Sequence, residues 1–279
     1  MRKTPYEVIV ERLSGEIPDR LLSALPRKWE KLGDILILKF SGELGSYKPK
    51  IAEVYADVLN CRSVLEDVGG IEGELRIPKL RFVYGDRNTE TIHIENRIRF
   101  KFDPMRIMFS SGNKDERIRM ANISNEKEVV VDMFAGIGYF SIPMAVYSKP
   151  KKIYAIEKNP IAFGYLKDNI VLNHVVNIVE PIFGDNREKT PKNVADRVIM
   201  GYLKDTYLYL PYAIESLRNN EGIIHYHEIC PNELLPRRPT RRLKEAAERY
   251  GKDVEIIKIN RVKSYAPGIS HVVVDARLR

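Results

Sequence analysis

From residue 126 onward the chain repeats one pattern, a short apolar run followed by a segment of helical spacing, and this alternation limits the fold more than any other feature. The runs are "EVVVDMF", "KIYAIE", "NIVEPIFGD", "ADRVIMG" and "GIIHYHEI"; helices are predicted from Gly138, from Pro160 and through "LYLPYAIESLRNN". Strands that alternate with helices in this way call for a mostly parallel sheet with helices on both faces. The end of the chain differs. "RRLKEAAERYG" reads as a helix stopped by Gly251, and "DVEIIKINRVKSYA" and "SHVVVDARL" read as strands joined across "PGI", a hairpin and therefore an antiparallel pair. The expectation over 93–279 is an α/β, Rossmann-like domain whose mostly parallel sheet ends in an antiparallel hairpin.

Residues 1–92 obey a different pattern. A strand is predicted over 34–40, and a helix over 48–60 from the spacing of Ile51, Val54, Tyr55, Val58 and Leu59. "SVLEDVG", "ELRIPKLRFVYG" and "ETIHIENRIRFKF" are strand-like runs bounded by Gly and Asp-Arg-Asn turns. Together they make a small N-terminal α+β domain. With 279 residues and 44% hydrophobic content the chain can bury the cores of one large and one smaller domain. Its apolar runs are far shorter than a membrane span and "MRKTPYEVIV" lacks the apolar core of a signal peptide, so a cytoplasmic protein with no membrane association is expected. Cys61 and Cys230 lie far apart in sequence and read as reduced thiols, which excludes a disulfide framework. Lys+Arg 46 against Asp+Glu 38 gives a net charge of +8, which favours a polyanionic partner, nucleic acid above all. A thermophile's ion-paired surface would have a similar composition.

The stretch that carries chemistry is "VVVDMFAGIGYFSIPMA", 129–145. A buried strand ending in a carboxylate, then Gly136 and Gly138 before a helix, makes a turn where backbone can approach a ligand closely. No third glycine follows, as a dinucleotide pyrophosphate would require. The next strand ends in Glu157, where a carboxylate can accept both hydroxyls of a ribose, and Asn159 and Pro160 read as the N-cap and first residue of a helix. The third strand ends in "FGDNR", whose Asp185 and Asn186 can read the amino edge of an adenine. Each alone could be an ordinary turn residue. Three acceptor-rich strand ends in succession, without a phosphate-binding lysine, point to a nucleoside that has no phosphates. His225, His227 and Cys230 lack a third ligand at metal spacing, so the histidines are read as sheet packing near the cleft and no metal is expected. "RRPTRRLK", 237–244, is solvated surface or a phosphate contact, and Tyr202, Tyr207 and Tyr209 are core packing or stacking partners for a base.

"DMFAGIGYF", "AIEKNP" and "GDNR" resemble the first three motifs of the class I S-adenosylmethionine-dependent transferases, the Rossmann-like class I methyltransferase fold. Two further stretches narrow the match. "RFKFDPMRIMFSSGNKDERIRMA" resembles the Phe-Ser...Glu-Arg signature of the family uniting the tRNA guanosine-37 N1-methyltransferase with the wyosine-pathway aminocarboxypropyltransferase, and "RVKSYAPGISHVVVDARL" resembles that family's closing hairpin. The likeness runs from about Leu25 to the C-terminus. It implies S-adenosylmethionine as group donor, phenylalanine tRNA at anticodon-loop position 37 as partner, a monomer, and residues 1–92 as the tRNA-contacting module. Donor contacts are then expected at Ser110, Arg117, Phe134, Gly136, Glu157, Asp185 and Asn186, with Arg117 gripping the methionyl carboxylate.

After the fourth strand the methyltransferase branch carries an Asn-Leu-Pro-type tripeptide, whose acceptors can position a ring N–H. Here the chain has Met200, Gly201 and Tyr202, with no acceptor amide and no proline, and these are the expected substrate contacts. The other branch moves the 3-amino-3-carboxypropyl arm to carbon 7 of 4-demethylwyosine and leaves methylthioadenosine. Three readings stand: that transfer; methyl transfer to guanosine 37 or another RNA base, leaving S-adenosylhomocysteine; or a tRNA-binding module without catalysis, against which the intact donor motifs argue. No residue is legible as the base that takes the proton from carbon 7.

Overall fold

The computed structural model describes residues 3–73 and 75–279. The chain divides into two compact units, Met1–Phe109 and Ser110–Arg279.

In the first unit α1 (Pro5–Leu13) starts at a capping box, Thr4 and Glu7 each accepting from the other's backbone amide, with Pro5 at the first helical position. This helix adds to the expected elements, and its signal, Thr-Pro-x-Glu before an apolar run, is local. After α2 (Asp19–Leu22) come β1 (Trp29–Leu32), β2 (Ile35–Leu38), α3 (Lys48–Val58), β3 (Ser63–Glu72) and β4 (Ile77–Gly85). The sheet runs β1-β2-β3-β4, with β2 and β3 parallel across α3 and the other pairs antiparallel. Ile9, Leu13, Leu36, Leu38, Ile51, Tyr55 and Val64 fill its core. A hairpin follows, β5 (Thr91–Glu95) with β6 (Ile98–Phe102), turning through Asn96 and Arg97, both at positive φ, as a type I′ turn needs. The ring of Phe109 lies 5.5 Å from that of Phe100 and 5.3 Å from that of Phe102. The amides of Gly33 and Asp34 donate to His93 at 3.2 Å and to Thr91 at 3.3 Å, which ties the hairpin to the first unit, so compactness divides the chain at 109/110 while the sequence pattern changes near 92/93.

The second unit contains α4 (Lys114–Ala121), β7 (Val129–Asp132), α5 (Ser141–Tyr147), β8 (Lys152–Glu157), α6 (Pro160–Leu172), β9 (Val179–Phe183) and α7 (Asn186–Lys189). Then come β10 (Arg197–Met200), α8 (Leu210–Ser216), β11 (Gly222–Pro231), α9 (Arg237–Glu248), β12 (Val254–Ala266) and β13 (Ile269–Leu278). Among the described residues its strands form one seven-stranded sheet, β12-β13-β11-β10-β7-β8-β9. The five strands from β11 to β9 are parallel, and β13 and β12 are antiparallel to their neighbours. This is the Rossmann-like arrangement expected. Strand order reverses between β7 and β10, and in such sheets the crevice for a ligand opens at the carboxyl ends of the strands beside that point. Val131, Val198, Ile224 and Ala276 lie in register across four neighbouring strands and belong to one buried core.

Candidate functional site

β7 ends in Asp132, fully buried, which accepts from the Ser141 hydroxyl at 2.5 Å and from the Phe134 amide at 3.3 Å. Loss of water pushes its carboxyl up to about 6. Asp132 therefore braces the turn against the start of α5. Within that turn Gly136 and Gly138 have φ of +57° and +97°, values that L side chains rarely adopt. A Cβ at Gly136 would lie 2.6 Å from the Tyr139 ring, and one at Gly138 would lie 2.4 Å from Cδ1 of Ile142. The left-handed turn also explains why α5 starts at Ser141 and not at the expected Gly138.

Glu157, at the end of β8, accepts from the Gly136 amide at 2.8 Å through Oε2 and from the Asn159 amide at 2.7 Å through Oε1. Burial raises its pKa. A carboxylate offers about four acceptor positions, so these bonds orient Glu157 towards the turn and leave it capacity for a ligand. Asn159 caps α6 as expected, accepting from Ile161 and Ala162.

The third strand end carries the most telling atom. Asn186 donates from Nδ2 to the Met133 carbonyl at 2.9 Å, while its Oδ1 is buried with no hydrogen-bond partner. An orphaned buried acceptor costs roughly 1–3 kcal/mol, and a ligand amine such as the adenine 6-amino group would remove that cost. Asp185 is placed differently. It caps α7 and is gripped by the Arg187 guanidinium at 2.9 and 2.7 Å, which holds it at about 2. Of the two expected adenine readers, Asn186 is the one with an unsatisfied atom.

A second group gathers at Ser110. Arg117 is buried and donates to the Ser110 carbonyl at 2.9 Å; Lys263, from β12, donates to the Ser110 hydroxyl at 2.7 Å. The structure thus brings Ser110 and Arg117 together and adds Lys263, which lies 153 residues away in sequence and which no local pattern marks. Glu116 beside Arg117 is held by Arg119 at 2.9 and 2.6 Å, yet burial still raises its carboxyl. Their helix, α4, packs on α5, the helix that the glycine turn opens.

The tripeptide at the end of β10 is used largely for packing. Met200, one of the expected substrate contacts, is 0% exposed and its side chain belongs to the core. Gly201 is needed because a Cβ there would lie 2.7 Å from the Phe140 ring. Tyr202 stacks on Phe134, centroids 5.1 Å apart and planes 11° apart, and Tyr209 meets Phe134 edge-on at 5.1 Å. Tyr207 lies under the Arg242 guanidinium, 3.9 Å from its centroid. The basic stretch is divided in the same way: Arg238 and Arg242 both bind the buried Glu228, while Arg237 and Arg241 are exposed.

The histidines of β11 are buried. His225 bridges Asp275 and Arg197, each at 2.6 Å, and His227 meets His271 at 3.1 Å. Desolvation lowers both pKa values, that of His227 strongly. Among the described residues no group of three or more His, Cys, Asp or Glu is placed to hold a metal, and no helix is long and apolar enough to cross a membrane.

The chain matches the family model described as TRM5/TYW2 methyltransferase domain over residues 91–257 and that described as TYW2 N-terminal domain over residues 9–89. A Pyrococcus horikoshii protein named tRNA(Phe) (4-demethylwyosine(37)-C(7)) aminocarboxypropyltransferase is 46% identical over 97% of this chain and 96% of its own length. Pyrococcus abyssi tRNA (guanine(37)-N(1))-methyltransferase Trm5b is 37% identical over 99% of this chain and 81% of its own. The crystal structure of P. horikoshii TYW2 in complex with MeSAdo superposes with a TM-score of 0.89 at 42% identity, covering 98% of both chains.

Proposed function

The chain belongs to the TRM5/TYW2 family, and on that premise we propose that it moves the 3-amino-3-carboxypropyl group of S-adenosylmethionine to carbon 7 of 4-demethylwyosine at position 37 of phenylalanine tRNA, releasing methylthioadenosine. The observation that carries the choice between the family's two chemistries is the tripeptide at the end of β10. Met200 is buried in the core, Gly201 sits under Phe140 and Tyr202 is stacked on Phe134, so no side-chain amide stands where methylation of a ring nitrogen would need an acceptor. The name of the 46% identical Pyrococcus horikoshii relative agrees with this reading, and the methyltransferase relative is the less similar, at 37%.

The donor, when bound, supplies a sulfonium whose three attached carbons are all electrophilic, and the carbon in line with the nucleophile is the one that reacts. The chain's residues then decide the pose. Glu157 accepts the ribose hydroxyls with the acceptor capacity its backbone bonds leave, the orphaned Oδ1 of Asn186 takes the adenine amine, and the Gly136 turn allows close approach. Phe134 and Tyr202 offer an aromatic wall, and Arg117 a bidentate partner for the methionyl carboxylate, with Ser110 beside it. On the same reading residues 1–92 contact the tRNA, residues 93–279 are catalytic, and the protein acts as a cytoplasmic monomer; the net charge of +8 suits the polyanionic partner.

Mass spectrometry of phenylalanine tRNA carrying 4-demethylwyosine, after incubation with protein and donor, tests the proposal. The expected result is a base heavier by the aminocarboxypropyl group, with methylthioadenosine in solution. A methylated base with S-adenosylhomocysteine would establish the family's other chemistry instead.

A further inference from the structure

Lys263 has no counterpart among the expected site residues, and its surroundings are those of a built contact. It lies on β12 where the pairing with β13 shifts register, between Arg261 and Lys263. A register shift of this kind re-aims the side chains beside it. The side chain runs across Gly112: a Cβ added there would lie 3.3 Å from both Cδ and Nζ of Lys263. Gly112 is at an ordinary φ, so what glycine offers there is room for the lysine and not backbone freedom. The ammonium ends 2.7 Å from the Ser110 hydroxyl, and the Arg117 guanidinium ends 2.9 Å from the Ser110 carbonyl. Two cations from opposite ends of the second unit, one on α4 and one on the closing hairpin, are thus delivered to one neutral residue.

We propose that Lys263 is a second cation for the donor's methionyl carboxylate, acting with Arg117, and that the pair fixes which sulfonium carbon faces the base. The inference rests on S-adenosylmethionine being the donor and deepens the reading above. The two groups do different work. The planar fork of Arg117 sets the plane of the carboxylate, whereas the compact ammonium of Lys263, on a flexible stem, adds a point charge and can turn from the Ser110 hydroxyl to a carboxylate oxygen. One cation would hold the carboxylate but leave it free to pivot; two contacts from separate elements fix the direction of the arm. Ser110 keeps both heads in place before the donor arrives, which lowers the ordering cost of binding.

Calorimetric titration without tRNA tests the proposal, using S-adenosylmethionine, decarboxylated S-adenosylmethionine and methylthioadenosine as probes. Lys263→Met keeps an apolar stem over Gly112 and removes the charge. It should weaken S-adenosylmethionine by about tenfold and leave the two carboxylate-free probes within about twofold of wild type, and Lys263→Arg should restore part of the loss. Equal losses for all three probes would mean that Lys263 only supports the fold around Ser110, and unchanged binding of S-adenosylmethionine would mean that it does not meet the carboxylate; either outcome overturns the proposal. Neither would bear on which group is transferred. Conversely, S-adenosylhomocysteine from the tRNA assay would overturn the transfer reading and leave the carboxylate contact standing.

Discussion

The two ends of the candidate site are built by opposite means. At the end proposed for the adenosine, Asp132, the Gly136–Gly138 turn, Glu157 and Asn186 sit at three successive strand ends, and each carboxylate or amide is bonded to backbone at its own or another of those ends. At the arm end, Ser110, Arg117 and Lys263 come from a loop, a helix and a distant strand, and they meet only because the sheet closes with its hairpin. The first end is stiff and generic to a nucleoside. On the proposed reading the second holds the charges that choose among three electrophilic carbons, and the difference between the ends is then the difference between binding a donor and directing it.

Five experiments would break or sharpen this contrast. The largest effect is expected at the arm end. Arg117→Ala should lower aminocarboxypropyl transfer on the order of hundredfold or more, because a reacting carbon displaced by about 1 Å is no longer in line. Methylthioadenosine should bind this variant almost as well as it binds wild type; if it and the intact donor weaken together, Arg117 serves the fold and the two ends are not separable. Glu157→Ala should give the opposite pattern, with both ligands weakened by roughly ten- to a hundredfold, about 1.5–3 kcal/mol, in calorimetry. A loss confined to the intact donor would contradict the assignment of Glu157 to the ribose.

Stiffness can be tested separately. Gly138→Ala puts a methyl at a positive φ, 2.4 Å from Ile142, and should destabilise the protein by about 1–3 kcal/mol in thermal melts; Gly201→Ala, at an ordinary φ against the edge of the Phe140 ring, should cost less. The pH dependence should follow Asp132. Folded, it keeps its proton up to about 6, against an ordinary value of 3.8, so between those values the folded state binds more protons than the unfolded one and this group makes stability fall as pH rises. Asp132→Asn should flatten denaturation free energy across that window, and an unchanged slope would assign the titration elsewhere. The smallest effect is expected at the surface. Charge reversal at the exposed Arg237 and Arg241 should reduce the salt slope of tRNA affinity by about one unit for each phosphate that is no longer neutralised. Arg238 and Arg242 are unsuitable for that test, since both are tied to Glu228 and their removal would strand a buried charge.

Legibility in the sequence follows the same contrast. Asn159 as a cap, Glu157 at a strand end, the glycine turn and the β12–β13 hairpin were all readable because each depends on neighbours within a few residues. The burial of Met200 was not readable because the last residue of a strand reads alike whether its side chain turns to the cleft or to the core, and only packing against neighbouring strands decides. Asp185 and Asn186 looked equivalent in "GDNR"; the difference between them, one oxygen taken up by Arg187 and another left bare, depends on bonds that the motif does not contain. The basic stretch divided for the same reason, half of it turning inward to a glutamate on β11.

The order of strands and helices, the nucleoside-binding turn and the family were determined by sequence alone, because hydrophobic period, turn chemistry and strand-end carboxylates are short-range properties and repeat in chain order. What only the tertiary structure decided is which charges share a space. Lys263 and Ser110 are 153 residues apart, and their meeting depends on a hairpin laid antiparallel at the sheet edge, a register shift that re-aims one side chain, and a glycine that leaves room for it. No local rule encodes that conjunction. It is the result of chain closure, and the chemistry proposed for the arm end depends on it.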